Sequence, residues 1–304
     1  MAGNTSSTAG AQLLENESTR FLELASTTFA RDFNRQPFQL RHNLADNPIL
    51  QLDRLVELSL RLGAIPGEVY FDVGIDKIDQ RWDQTPKAAA TVADVIRNIS
   101  ESKAWIILRR ADLDPRYRAL LEQCMTELRG AGGSEWPERV RVQNAIVFIT
   151  SPKRITTYHI DRECNFILQI QGKKTIYVFD QNDREVLSEE ELERFWAVDN
   201  NAARYKERYQ DRAKIYCLGP GDGIHVPVNA PHWVQNDDNI SITLSVNFQF
   251  KDTYRADKYR ANYYLRRLGV TPAPPNSFPL RDALKVSVIR GAALLAKPLK
   301  MFRS

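Results

Sequence analysis

The spacing of hydrophobic positions changes near residue 139 and divides the chain into a mixed part and a strand-rich part. In the first part, apolar residues recur at helical spacing in several stretches, and two short runs, EVYFDVG and AWIILRR, have the composition of strands. Helices are expected at residues 21–29, 52–63, 91–99 and 115–130. We therefore predict an α/β region over residues 11–135, preceded by a disordered lead at residues 1–10.

Beyond residue 139 the chain consists of short β-branched and aromatic runs separated by Gly, Pro, Asn and Asp. The runs are VRVQNAIVFIT, NFILQIQ, KTIYVFD, KIYCLG, GIHVPV and ISITLSVNFQF. Short strands at such spacing are typical of a small antiparallel barrel or a double-sheet jelly roll. One excursion, residues 181–213, contains a capping box of Ser188 and Glu191 that predicts a helix. The predicted fold class is mainly β with helical additions, and the barrel covers residues 136–250.

Residues 251–304 return to helical spacing and carry a strong positive charge. They contain 12 Lys and Arg against 3 Asp and Glu, whereas the whole chain has 42 against 38. A basic tail can contact nucleic acid, an anionic membrane or an acidic partner. A solvated helical face explains the same composition, and no helix-turn-helix or zinc-finger pattern accompanies it. We therefore predict basic C-terminal helices and do not expect a nucleic-acid partner.

Composition narrows the class of protein further. The chain is 43% hydrophobic and 26% charged, which is ordinary for a globular protein. Its three cysteines include no C-x-x-C pair, which argues against a disulfide framework or a thiolate zinc site. We find neither the apolar core of a signal peptide in the first ten residues nor an apolar run long enough to span a membrane. We expect a cytoplasmic protein without a transmembrane segment.

The string TTYHIDRECNF contains the first candidate for chemistry. His159 and Asp161 are two residues apart, so on an extended strand their side chains point to the same face. One imidazole and one carboxylate on a face, with a second imidazole from a distant strand, make the facial triad of non-heme Fe(II) oxygenases. The string GPGDGIHVPVNAPHWVQN offers both His225 and His232 as that second imidazole. Spacing alone leaves this choice open.

Several motifs together carry a resemblance to a known family. TTYHID, NFILQIQGKK, GPGDGIHVPVNAPHW and SVNF follow one another in the order and spacing of the JmjC-type cupin oxygenases, including the factor-inhibiting-HIF-like hydroxylases. The resemblance covers roughly residues 140–250. It implies a double-stranded β-helix fold, Fe(II) and 2-oxoglutarate as cofactors, and hydroxylation of a peptide, protein or small amino-acid-like substrate.

The resemblance also implies roles for individual residues. His159, Asp161 and His232 match the three metal ligands, which favours His232 over His225. The position of Thr156 and of Lys174 in QGKK resembles the pair that binds the distal carboxylate of 2-oxoglutarate. The remaining predicted cofactor-binding residues are the amides Asn165 and Asn247 and the apolar wall residue Ile167.

Each of these residues has a simpler structural explanation. His159 and Asp161 would also suit a surface ion pair, and Lys174 could be an exposed residue just after the Gly172 turn. Asparagines often cap strand ends, and Thr156 is a good strand former. Glu163 shares the strand parity of Asp161 and is a reserve carboxylate.

Two alternatives concern the whole protein. A non-catalytic metal-binding cupin that acts as a regulator or sensor, with DNA as a partner of its basic tail, is the second functional hypothesis. A bare sensor would not need the residues of a cosubstrate site. The C-terminal segment adds an expectation of assembly. Leu284, Val288, Ala292, Leu295 and Leu299 recur at helical spacing, and analogy with the family favours a homodimer through these helices.

Overall fold

The computed structural model describes residues 20–74, 77–81, 90–136, 140–250 and 253–300. The lead expected at residues 1–10 lies outside these described residues.

The part of the chain before residue 140 alternates short strands and helices. Its elements are β1 Leu22–Glu23, α1 Ser26–Asp32, β2 Phe38–His42, α2 Leu52–Gly63, β3 Val69–Val73, α3 Val92–Arg97, β4 Ala104–Leu108 and α4 Pro115–Gly132. The helix caps expected from the sequence are present. The side chain of Thr91 accepts a hydrogen bond from the backbone N–H of Asp94, and the side chain of Asp114 accepts one from the backbone N–H of Arg116.

The helix expected at residues 21–29 begins later than the periodicity predicts. Residues Leu22 and Glu23 form a strand instead, because Leu22 pairs with His42 and its backbone N–H donates to the carboxylate of Glu127 at 2.7 Å. Tertiary hydrogen bonds therefore override the helical spacing of the first apolar residues.

The remaining described elements follow the predicted strand runs and helices closely. They are β5 Val140–Thr150, β6 Ile155–His159, β7 Cys164–Gln171, β8 Lys174–Val178, α5 Glu189–Ala197, β9 Lys214–Leu218, β10 Asp222–Val226, β11 His232–Asn236, β12 Ser241–Phe250, α6 Thr253–Arg267 and α7 Pro279–Lys300. The capping box of Ser188 and Glu191 opens α5.

Two antiparallel sheets face each other and form the jelly roll. The larger sheet has the strand order β1-β2-β10-β7-β12-β5-β4-β3, and the smaller one has the order β6-β11-β8-β9. Strands from the N-terminal region extend the larger sheet at both edges, because β2 pairs with β10 and β4 pairs with β5. The predicted fold class, mainly β with a cupin core and C-terminal helices, is confirmed.

The two faces of the larger sheet differ in polarity. Along β12, Leu244 and Val246 belong to the main apolar core, which also contains residues of α2 and α4. The alternate residues Ser245 and Asn247 line a cavity on the opposite face, toward the smaller sheet. The helices thus cover one face, and the polar face is left for a site inside the jelly roll.

The C-terminal helices pack on the excursion between β8 and β9. Arg266 of α6 forms an ion pair with the buried carboxylate of Glu193 on α5, at 2.6 Å. On α7, Leu284 and Val288 are exposed, whereas the side chains of the three later residues of the predicted apolar series lie outside the described part. Homodimer formation through this helix stays a prediction. Among the described residues, no helix is long and apolar enough to cross a membrane.

Candidate active site

Strand pairing between β6 and β11 brings two histidines together. His159 ends β6 and lies directly opposite His232, the first residue of β11. Asp161 follows β6 by two residues, and its carboxylate oxygens lie 4.0 Å from Nε2 of His159 and 3.7 Å from Nε2 of His232. One ligand atom from each of the three residues lies within 4.8 Å of the others. This spacing suits joint coordination of one metal ion.

Backbone carbonyls hold both imidazoles in the form that a metal requires. Nδ1 of His159 lies 2.6 Å from the carbonyl oxygen of Thr157, and Nδ1 of His232 lies 2.9 Å from that of Ala230. Each Nδ1–H therefore donates to a carbonyl and leaves the lone pair of Nε2 directed at the shared site. Burial lowers the pKa of His232 to about 4, so this ring is neutral and able to ligate near pH 7.

The side chain of His225 lies on the face of β10 that points away from the space between the sheets. His225 is therefore not part of the group formed by His159, Asp161 and His232. Alternation along β10 places Ile224 and Val226 in an apolar cluster between the sheets, whereas the ring of His225 packs against Phe33 and Phe38. Its Nε2 accepts from the backbone N–H of Asn34 at 2.9 Å. The buried ring is therefore a packing residue.

Replacing His225 by alanine should lower the free energy of unfolding by about 3 kcal/mol, because it leaves a cavity and an unpaired backbone donor. We expect the folded variant to keep its full metal stoichiometry. Chemical denaturation together with metal titration checks both points. Loss of the metal from folded His225→Ala protein would contradict this assignment.

A cavity of about 440 Å³ extends from the histidines between the two sheets. All eight site residues expected from the sequence line it: Thr156, His159, Asp161, Asn165, Ile167, Lys174, His232 and Asn247. The fold therefore brings together positions that span more than 90 residues of sequence.

A β-bulge places Thr156 on the cavity face. Residues three apart on a regular strand point to opposite sides, so Thr156 and His159 would not share a face. The pairing of β6 with β11 shifts register between His232 and Val234, which lie opposite His159 and Thr156 respectively. The extra residue on β6 restores the common face for both side chains.

Lys174 supplies a buried positive charge without an acidic partner. Its Nζ donates to the hydroxyl of Thr243 at 2.6 Å, and that hydroxyl donates to Oε1 of Gln169 at 2.9 Å. None of the carboxylates in the described part of the chain forms an ion pair with it. Burial lowers the pKa of Lys174 to about 7. A buried amine of this kind favours an anionic guest in the cavity.

Three asparagines form a row across adjacent strands of the larger sheet. Asn247 of β12 lies opposite Asn165 of β7 and Asn144 of β5. The amide nitrogen of Asn165 donates to Oδ2 of Asp161 at 2.7 Å and so orients this carboxylate. The Oδ1 atoms of Asn165 and Asn144 are buried without a hydrogen-bond partner. Orphaned acceptors are costly, so these atoms indicate a cavity built around a polar guest.

Other lining residues come from segments whose position the sequence did not reveal. Phe195 and Asn200 reach the cavity from the excursion, and Arg162 donates to the carbonyl oxygen of Phe195 at 2.6 Å. Glu163 lies outside the metal-ligand group and accepts from Gln249 at 2.6 Å. Alternation along β5 places Asn144 on the cavity face, whereas Asn200 carries no sequence signal.

The fold and the paired histidines define a cupin-type jelly-roll protein. The model of the cupin-like domain family matches residues 80–255, which is more than half of the chain. The chain therefore belongs to the cupin-like domain family, as the resemblance to JmjC-type cupins predicts.

The solved structures to which this chain is similar include several of one bacterial protein. The E. coli protein ycfD matches at 16% identity over 90% of this chain and 69% of that chain, with a TM-score of 0.52. A second structure, of Escherichia coli ribosomal oxygenase YcfD, matches at 16% identity over 90% and 67%, with a TM-score of 0.45. A third, of YcfD with cobalt and 2-oxoglutarate, matches at 15% identity over 90% and 68%, with a TM-score of 0.46. The first of these matches, at 16% identity, shows a shared fold. No curated protein sequence matches the chain significantly.

Proposed function

We propose that the protein is an Fe(II)- and 2-oxoglutarate-dependent oxygenase that hydroxylates a peptide, protein or amino-acid-like substrate. One observation carries the proposal: a single cavity has a His-Asp-His group and, among its other lining residues, a buried lysine that forms no ion pair with the described residues. A metal site alone would not require the lysine, and a simple anion pocket would not require the three ligands.

The donor set fits ferrous iron. His159, Asp161 and His232 would hold Fe(II), which together with dioxygen and 2-oxoglutarate supplies the oxidation of a carbon–hydrogen bond. Two imidazole nitrogens and one carboxylate suit non-heme iron and leave adjacent coordination positions open, whereas structural zinc sites have four protein ligands. The described part of the chain adds no fourth ligand to this group.

The opposite end of the cavity fits the second carboxylate of 2-oxoglutarate. Lys174 would provide the positive charge, and the hydroxyl of Thr156 would donate a hydrogen bond. Ile167 belongs to the apolar cluster between the sheets and would form a wall along the methylene groups. Asn165 and Asn247 would orient the end of the cosubstrate that approaches the metal, because Asn165 donates to Asp161 and Asn247 lies opposite Asn165 on the adjacent strand.

The charged and polar groups among the remaining lining residues favour a substrate with a polar part. A cavity of about 440 Å³ has room for a substrate side chain beside the cosubstrate. Arg162, Glu163 and Asn200 supply charged and polar groups near the metal ligands. These groups suit a peptide or amino-acid side chain better than a purely apolar molecule.

Cosubstrate turnover tests the proposal directly. Purified protein supplied with Fe(II), dioxygen and 2-oxoglutarate should release succinate slowly even without substrate, and a metal chelator should stop the release. Candidate peptides should then gain the mass of one oxygen atom. Protein that binds metal but neither binds nor consumes 2-oxoglutarate would instead favour the non-catalytic cupin.

The affinity for 2-oxoglutarate should fall as the pH rises above 7. The cosubstrate binds the charged form of Lys174, whose pKa in the free protein is about 7. Binding at higher pH must therefore take up one proton, and the dissociation constant should rise up to about tenfold per pH unit. Calorimetry in buffers with different ionisation heats measures this uptake. A constant affinity from pH 7 to 9 without proton uptake would contradict the prediction.

A further inference from the structure

One side of the active-site cavity is built on β4 and has no role in the proposed metal and cosubstrate sites. Trp105 and Ile107 of β4, and Arg109 directly after it, line the cavity there. In the larger sheet, β5 and β12 separate β4 from β7. Asn165 of β7 is the residue that donates to Asp161, and about 14 Å separates the backbones of β4 and β7 at the usual strand spacing. A substrate group bound at β4 therefore lies away from the carbon that is oxidised.

Arg109 is held in place, but its side-chain donors are unused. Its backbone N–H donates to the carbonyl oxygen of Glu68 at 2.7 Å, and its guanidinium lies 6.0 Å from the ring centroid of Tyr70. The hydroxyl of Tyr70 in turn donates to the buried carboxylate of Asp72 at 3.1 Å, which fixes the ring. Within the described residues, the side chain of Arg109 forms neither a hydrogen bond nor an ion pair. A guanidinium placed against a ring is oriented to bind a planar anion.

The charges around the cavity leave one cation without a counter-charge. Among the described lining residues, Arg109, Arg162 and Lys174 are basic, whereas Asp161 and Glu163 are acidic. Ferrous iron and the dianion of 2-oxoglutarate cancel each other, so the filled site keeps an excess of one positive charge. This excess favours a substrate with a negative charge.

Arg162 is engaged elsewhere, so Arg109 is the cation available to the substrate. The guanidinium of Arg162 donates to the carbonyl oxygen of Phe195 at 2.6 Å and lies 4.9 Å from the centroid of that ring. The carboxylate of the adjacent Glu163 acts electrostatically on Arg162 and offsets its charge. No such group acts on Arg109 in the part of the chain that the structure describes.

We propose that Arg109 binds a carboxylate of the substrate, at a distance from the carbon that is hydroxylated. This inference rests on the proposed oxygenase function. A carboxylate accepts two parallel hydrogen bonds from a guanidinium and supplies the single negative charge that the filled cavity lacks. A phosphate dianion would bring one charge too many. The carboxylate belongs either to an acidic side chain of a peptide or to the free carboxyl end of a short peptide or amino acid.

Selection from random short peptides tests the proposal. One pool is amidated at the C-terminus and the other has a free carboxyl end, and both are captured on the full-length protein loaded with Mn(II) and saturating 2-oxoglutarate. The wild type should enrich carboxylates at one fixed position. Enrichment of Asp or Glu in the amidated pool identifies an acidic side chain, whereas capture of the free-acid pool alone identifies a terminal carboxylate.

Variants assign the recognition to one arginine. Arg109→Gln should bind a captured peptide at least about tenfold more weakly, because a hydrogen bond between charged groups is lost. Replacing the recognised carboxyl group by its amide should weaken binding to the wild type similarly, but not binding to Arg109→Gln. Arg109→Lys keeps the charge and should keep the preference for acids. Arg110→Gln is the matched control, since this adjacent arginine is exposed and does not line the cavity.

Several results would overturn the proposal. They are equal capture by the wild type and Arg109→Gln, equal losses in Arg109→Gln and Arg110→Gln, and a preference for neutral or basic peptides. Tighter binding when phosphoserine replaces the acidic residue would overturn it too. Displacement of captured peptides by 2-oxoglutarate would assign their carboxylate to Lys174, with the same consequence. Failure of the oxygenase proposal is read separately, as protein that does not bind 2-oxoglutarate, and leaves the comparison of Arg109→Gln with Arg110→Gln measurable.

Discussion

Asp161→Ala should lose both metal binding and 2-oxoglutarate turnover. Loss of a group that merely orients a metal ligand costs about 10- to 100-fold in metal affinity, so loss of the carboxylate ligand itself should cost more than about a hundredfold. The two imidazoles that remain also lose the negative charge that lies 3.7 Å from Nε2 of His232 and 4.0 Å from Nε2 of His159. Metal titration and succinate release measure the two effects separately.

Glu163→Gln is the matched control for this variant. Glu163 is two residues after Asp161 and lines the same cavity. Its carboxylate already accepts a hydrogen bond from Gln249. We expect full metal stoichiometry from Glu163→Gln and a normal rate of uncoupled succinate release. Retention of metal by Asp161→Ala, or loss of metal from Glu163→Gln, would move the carboxylate ligand to Glu163.

Lys174→Met should abolish 2-oxoglutarate binding and, at the same time, stabilise the free protein. A buried charge-assisted pair contributes about 3 kcal/mol, so the affinity should fall about a hundredfold or more. Methionine has a similar length and no charge to bury, so the free energy of unfolding at pH 7 should rise by about 2 kcal/mol. Opposite effects on ligand affinity and stability distinguish a functional lysine from a structural one.

The stability gain should depend on pH in a definite direction. Burial lowers the pKa of Lys174 from 10.5 to about 7, so the unfolded chain binds more protons than the folded one between these values. The wild type should therefore gain stability as the pH rises from 7 toward 10, relative to Lys174→Met. Denaturation at several pH values measures this difference.

Lys173→Met provides the control for both measurements. This neighbouring lysine precedes β8, is exposed and does not line the cavity. Its replacement should change neither 2-oxoglutarate affinity nor the pH dependence of stability. A stability loss in Lys174→Met, without loss of cosubstrate binding, would make Lys174 a packing residue.

Local chemistry in the sequence predicts most of the elements. Asp114 followed by Pro115 begins α4, and the Ser188–Glu191 capping box begins α5, because both depend on residues within one helical turn. The strand runs after residue 139 were recognisable for the same reason. The segment at Leu22 was predicted wrongly, since its hydrogen bonds go to Glu127 and to β2, which are distant in sequence.

The candidate site was predictable only where its residues are neighbours in sequence. His159 and Asp161 share a short segment, so their spacing alone indicated a common face. The choice between His225 and His232 depended on family resemblance, because their spacing from His159 and Asp161 does not distinguish them. The excursion residues Phe195 and Asn200 reach the cavity through contacts that leave no periodic signal.

The sequence by itself determined a barrel or jelly-roll class, the positions of most strands, and a histidine and a carboxylate two residues apart. Only the tertiary structure decided which face of β10 is interior, where β6 carries its bulge, and that Lys174 is buried without a counter-charge. The physical reason is that strand register and the burial of a charge depend on partners remote along the chain, whereas caps, turns and alternation depend on adjacent residues.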